Sequence, residues 1–202
     1  MNPRIALALL VAGIAALGAI VLGASGSGGE SEPVAPENRF AGASLPKNLV
    51  APDFELRDQE GERVSMRALR GRPVVVTFLY THCQDTCPIM AQTVRGALDD
   101  LGHDVPALAI AVDPPNDTAQ SARKFLAEQR ATGRIDFVLG SRAELRPVWH
   151  GFRVQPQRIT EEHDARVRLV DARGIQRVGY PGSQATPERI AHDLALLERE
   201  AG

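Results

Sequence analysis

An α/β domain with a mixed sheet flanked by helices is the fold class this sequence predicts, and three observations predict it. Val74 to Tyr80 (VVVTFLY) and Ala107 to Val112 (ALAIAV) are unbroken apolar runs, as expected of strands covered on both faces. Helical periodicity fills the chain between and after them. Two short strands across Asp171-Ala172-Arg173-Gly174, followed by a last helix, close the sheet with an antiparallel hairpin.

The chain has 202 residues, 44% of them hydrophobic and only 4% aromatic. Its 23 Lys and Arg against 25 Asp and Glu give a net charge of −2. That balance argues against a nucleic-acid binder, which needs a basic excess and often aromatic stacking platforms.

The hydrophobic residues are not evenly spread. Residues 5–24 (IALALLVAGIAALGAIVLGA) are all apolar or glycine. Twenty such residues make a helix about 30 Å long, enough to span a bilayer core. Arg4 precedes the run, and Glu30, Glu32 and Glu37 follow it. The positive-inside rule then places the rest of the chain on the extracytoplasmic side, as a single-pass cell-membrane protein. A cleaved signal peptide is the competing reading, although its apolar core is usually shorter. The segment 1–24 is therefore expected to be a transmembrane anchor or signal. Residues 25–47, rich in Gly, Ser, Pro and Glu, are expected to be a flexible tether. One domain, 48–202, follows, large enough for a single core.

Within that domain the elements follow in order. Phe54 to Leu56 and Arg63 to Ser65 flank Asp58-Gln59-Glu60-Gly61 and read as a hairpin. Gly71-Arg72-Pro73 stops a short helical turn before the first buried strand. Ile89, Met90, Val94, Leu98 and Leu101 keep helical spacing up to Gly102. After the second strand, Ala119 to Arg130 forms a charged amphipathic helix, Ile135 to Leu139 a third strand, and Arg142 to Trp149 a short helix interrupted by Pro147. Val167 to Val170 and Ile175 to Gly179 form the closing hairpin. Pro187 to Arg199 forms the last helix, with Pro187 at its first position and Ile190, Leu194 and Leu197 as its apolar stripe. This order is the thioredoxin-like layout with an added N-terminal hairpin.

The two cysteines lie in Thr81-His82-Cys83-Gln84-Asp85-Thr86-Cys87-Pro88, between a buried strand and a helix. Sites gather at that edge of open α/β sheets. Pro88 fits a first helical position, which would make Cys87 the N-cap. Unpaired N–H groups and the helix dipole there favour thiolates. Three residues separate the cysteines, where a redox dithiol usually has two. Three readings stay open on spacing alone. The pair is a structural disulfide, a redox dithiol, or part of a soft-metal site. A disulfide across so short a loop would stabilise little.

Phe78 to Pro88 (FLYTHCQDTCP) resembles the signature of the SCO/SenC family, membrane-tethered thioredoxin-like copper chaperones of cytochrome c oxidase assembly. Ala111 to Thr118 (AVDPPNDT) is similar to that family's VDP…DT segment. His163, eight residues before Asp171, matches its ligand histidine, and Ala51-Pro52-Asp53-Phe54 its domain start. The resemblance covers roughly residues 48–200. It implies that Cys83, Cys87 and His163 bind one copper, as Cu(I) or as Cu(II). It also implies delivery to the copper-site subunit of cytochrome c oxidase, with a copper donor or thiol reductant as further partner. The family often has proline where this chain has Gln84, and different neighbours where Glu162 and Asp164 flank His163. These departures bear on affinity rather than on ligand identity.

The rival is a membrane-anchored thiol–disulfide reductase acting on exported proteins, with Cys83 and Cys87 as its redox pair and no need of His163. Generic oxidoreductases of this layout place a proline just before the strand facing the dithiol. Here Ala165-Arg166 precede Val167. Among other candidates, His82, His103, His150 and His192 are expected to be exposed, capping or packing residues. Asp85 is expected to orient the cysteine loop through its side chain, and Asp113 to shape a turn at the same sheet edge.

Overall fold

The computed structural model describes residues 39–156 and 166–201. The apolar run 5–24 and His163 both lie outside these residues. Among the described residues no helix is long and apolar enough to cross a membrane.

Eight strands and four α-helices are present among the described residues. They run β1 (Ala43–Ser44), β2 (Glu55–Arg57), β3 (Arg63–Ser65), β4 (Val74–Leu79), α1 (Thr86–Leu101), β5 (Ala107–Ala111), α2 (Ala119–Glu128), β6 (Asp136–Val138), α3 (Arg142–Phe152), β7 (Arg166–Val170), β8 (Gln176–Pro181) and α4 (Pro187–Ala201). Six strands form one sheet in the order β1-β8-β7-β4-β5-β6, and β2 and β3 form a separate hairpin. β4, β5 and β6 are parallel, whereas β7 is antiparallel to β4 and β8 to β7. The sheet is therefore mixed, as the closing hairpin predicted. Every residue of β4 and β5 is buried, so both faces of the sheet centre are covered.

The helices lock onto this centre through specific contacts. Phe152 of α3 packs edge-to-face on Phe78 of β4, with ring centroids 5.4 Å apart. Trp149 donates from Nε1 to the Ala111 carbonyl at 2.9 Å. α1 and α4 approach closely at Gly96, where a Cβ would stand 3.0 Å from Pro187 Cγ.

Three sequence expectations are corrected. α3 is not interrupted at Pro147 and continues to Phe152. A capping box of Ser141 and Glu144 fixes its start, and Leu145, Val148, Trp149 and Phe152 bury its inner stripe. Pro147 is exposed, and so is Ala143, whose carbonyl the missing N–H would have met. Water can satisfy that group. α1 begins at Thr86, with Asp85 as N-cap, so Cys87 sits inside the first turn. Pro88 is then the third helical residue, where the N–H would have no helical partner in any case. Residues 41–44, read as tether, belong to the fold. Ala43 and Ser44 pair with Gly179 and Val178 at the sheet edge. The carboxylate of Asp193 accepts from the N–H groups of Ala41 at 2.7 Å and Gly42 at 2.9 Å.

The β7–β8 turn is built on Asp171, which accepts from Ile175 N–H at 2.9 Å and Arg173 N–H at 3.0 Å. Arg173 and Arg177 add ion pairs at 3.1 and 3.2 Å. Burial opposes ionisation of Asp171, but these donors and guanidinium groups override it and hold its pKa below the ordinary value. A lowered folded pKa means that the contribution is fully present above the unfolded value. It is lost as pH falls through the folded one. Asp171→Asn is therefore expected to lower stability at neutral pH and to flatten the acid limb below about pH 4, read as urea midpoint against pH.

Candidate functional site

The site forms where β4 ends and α1 begins, at the carboxyl edge of the parallel strands. β4 delivers the chain into the core, and the loop from Tyr80 to Asp85 turns it into the first turn of α1. Cys83 lies in this loop, with 8% of its surface exposed, and Cys87 is fully buried at 0%. Both thiols are free. The Cys87 N–H donates to Cys83 Sγ at 3.2 Å.

These positions make the two thiols unequal. Burial raises the pKa of Cys83. The N–H groups of Asp85 and Cys87, with side-chain hydrogen bonds from Cys87 and Tyr80, outweigh that, and the net direction is down. For Cys87 burial dominates. The Cys83 sulfur and the Asp117 carboxylate add to it, and its thiol is pushed well up. Tyr80, half-buried beside Cys83, is pushed up by burial and by its hydrogen bond to Cys83.

A second loop props the first. Asp117, 6% exposed, accepts from Thr81 N–H at 2.8 Å, Thr81 Oγ1 at 3.0 Å and Asp113 N–H at 2.9 Å. It ties the cysteine loop to the β5–α2 loop. Asp113 shapes the turn, its backbone carbonyl accepting from the Asn116 and Asp117 N–H groups at 2.9 Å each. Thr118 then caps α2 in a reciprocal capping box with Ser121.

Asp85 behaves differently from expectation. Its side chain makes no cap bond, and its backbone N–H serves Cys83 instead. His82 is exposed, with Nδ1 3.1 Å from Thr81 Oγ1. His150 is exposed as well. His103 pairs with Glu198 at 2.7 Å and His192 with Asp193 at 2.9 Å. The structure thus brings Cys83 and Cys87 together. His163, with Glu161, Glu162 and Asp164, lies outside the described residues. Among the described residues no group of three or more His, Cys, Asp or Glu side chains is placed to hold a metal.

Asp117, Thr81 and Trp149 are the supporting residues that sequence reasoning passed over. For Asp117 a signal existed, a carboxylate one residue ahead of a helix-capping threonine. Ile89 was assigned to the apolar face of α1 but is 60% exposed in its first turn, beside the cysteine loop.

A mixed sheet closed by an antiparallel hairpin, with a reduced dithiol at the start of α1, defines a thioredoxin-like protein. The chain belongs to the SCO1/SenC family, whose model matches residues 42–198. It is 31% identical over 128 residues to protein SCO1 homolog 1, mitochondrial, of Arabidopsis thaliana, covering 61% of this chain and 37% of that protein. Among solved structures, Bradyrhizobium japonicum ScoI with copper bound is 30% identical, with a TM-score of 0.63 over 73% of this chain and 99% of that chain. BsSco, a member of the Sco family of cytochrome c oxidase assembly proteins, shares the fold with a TM-score of 0.67 at 24% identity, over 78% of this chain and 97% of that one.

Proposed function

We propose that this protein binds copper as cargo between Cys83, Cys87 and His163 and delivers it to, or prepares, the copper centre of cytochrome c oxidase. The observation that carries this reading is the pair of free thiols meeting at the α1 start, in a family whose relative at 30% identity binds copper. Two thiolates and an imidazole are soft donors that suit Cu(I). Cys83 is already biased toward thiolate, while Cys87 must release its proton when metal binds, so loading is proton-linked. Three donors would leave one side of the ion open to a partner's ligands. Residues 5–24 are proposed to anchor the chain in the cell membrane, with the domain on the extracytoplasmic side. The anchor raises the domain's effective concentration near membrane-embedded subunits.

The test is metal content and Cu(I) titration of residues 38–202, purified reduced, for wild type and His163→Ala. One copper per chain is expected for wild type, with markedly weaker binding for the variant. Absence of tight one-to-one binding, or binding unchanged by the substitution, would overturn the reading.

The unequal thiols favour a second activity at the same place, reduction of a partner disulfide. The Cys83 thiolate would attack one partner sulfur, forming a mixed disulfide and releasing one partner thiolate. Cys87, giving up its proton, would then attack Cys83 and release the second. Two electrons pass to the partner, and the protein is left with a Cys83–Cys87 disulfide that an external thiol reductant must restore. This activity should survive His163→Ala, in contrast to copper binding.

A further inference from the structure

We infer that the outer face of α3 is a docking surface for anionic phospholipid headgroups. Arg142, Arg146 and His150 stand at i, i+4 and i+8 on this helix, and Arg153 follows at its C-cap. All four are exposed. They line one side of the helix over about 16 Å.

No carboxylate meets any of the four side chains among the described residues. Among the described residues outside α3, Arg72, Arg130 and Arg199 also lack a carboxylate, but they stand singly, and Arg57, Arg123 and Arg189 bond backbone carbonyls. Arg39, Arg63, Arg67, Arg95, Arg134 and Arg177 all lie against Asp or Glu. On a chain of net charge −2, an unpaired basic stripe is a local departure. Like charges four residues apart on a helix also repel one another. Folding alone asks only for polar residues on this outer face, whereas a flat anionic surface accounts for their being basic.

The occupant follows from what the stripe lacks. A protein interface needs an apolar centre, usually with aromatic anchors. Among the described residues the exposed large hydrophobics are Val50 and Ile89, neither of them on α3. Contact with a headgroup layer needs charge alone, at about a fivefold gain in partition per arginine. The inference rests on the membrane-anchor reading for its setting. Residues 25–38 would hold the domain within about 20 Å of the bilayer, so headgroups are the surface it meets continually.

Residues 38–202 form a compact unit whose strands all pair within it, so the domain alone serves for the test. Flotation with mixed phosphatidylcholine–phosphatidylglycerol vesicles at low salt is expected to carry it, about a hundredfold better than pure phosphatidylcholine vesicles. Added salt should release it. Arg146→Glu is the decisive variant. It places a carboxylate between Arg142 and His150 at favourable i±4 spacing, so the thermal midpoint should be unchanged or higher. Partition should nevertheless fall about twentyfold. Equal binding to pure phosphatidylcholine, or an Arg146→Glu domain that floats like wild type, would overturn the inference. So would failure to bind either vesicle, which would leave an acidic protein face as the occupant to seek. Copper stoichiometry of Arg146→Glu should match wild type throughout, so failure here is distinct from failure of the copper reading.

Discussion

Cys83→Ser and Cys87→Ser are each expected to lower Cu(I) affinity by on the order of a thousandfold or more, although the two thiols sit in different environments. A serine hydroxyl is a hard donor that stays protonated near neutral pH, and Cu(I) selects soft thiolates. The losses should be similar because the metal needs both sulfurs at once. The burial that pushes the Cys87 thiol up acts on the free protein, and a bound cation reverses it. Competition against a Cu(I) chelator measures both losses. The same variants separate the two activities of the site. Reduction of a partner disulfide needs Cys83 as attacker and Cys87 as resolver. Cys87→Ser should therefore accumulate a mixed disulfide on a non-reducing gel, whereas Cys83→Ser should form none. Retention of wild-type copper affinity by either variant would sink the metal reading. Mixed disulfide on both or neither would sink the reductase reading.

The fold was legible wherever burial dictates composition. β4 and β5 announce themselves because a strand covered on both faces is apolar almost throughout, Thr77 alone being polar and bonded to the Arg166 carbonyl, and the β7–β8 turn because Asp171 and Gly174 suit a tight reversal. The failures share a cause. β1 is two residues long, and both of them are exposed. It is held by its pairing with β8 and by a carboxylate some 150 residues away, which no local pattern can report. Pro147 argued for a break because propensity is a local quantity, while Val148, Trp149 and Phe152 hold the helix together through the core.

In the site, residue type carried the information. Two cysteines ahead of a proline at a strand-to-helix junction pointed to chemistry before any geometry was known. Their inequality was not legible. It depends on which backbone N–H groups reach Cys83 and on how deep α1 sinks Cys87, and both are three-dimensional facts. Asp117 was hidden for the same reason, since its partner Thr81 lies 36 residues away.

Asp193→Ala is expected to destabilise the domain by about 3 kcal/mol, a large share of an ordinary domain's stability. This carboxylate is fully buried on α4. It holds the N–H groups of Ala41 and Gly42 and receives the Tyr180 hydroxyl, which also reaches the Arg189 carbonyl at 2.9 Å. After the substitution Tyr180 keeps that carbonyl and the Gly42 N–H keeps the Tyr180 oxygen, but the Ala41 N–H is orphaned at about 1–3 kcal/mol when buried, and Gly42 and Tyr180 each lose a bond to a carboxylate. The segment cannot easily swing out to water. The Arg189 guanidinium grips the Ala41 carbonyl from the other side, and Gly42 is pressed so closely on Tyr180 that a Cβ would stand 2.6 Å from its ring. A thermal midpoint lowered by roughly 6–12 °C is the corresponding readout. The decisive comparison removes the segment itself. In a chain starting after Gly42 neither N–H that Asp193 holds exists, so Asp193→Ala should cost much less there than in residues 38–202. Full additivity of the two changes would mean that the carboxylate stabilises α4 by some other route and that residues 41–44 merely lie beside it.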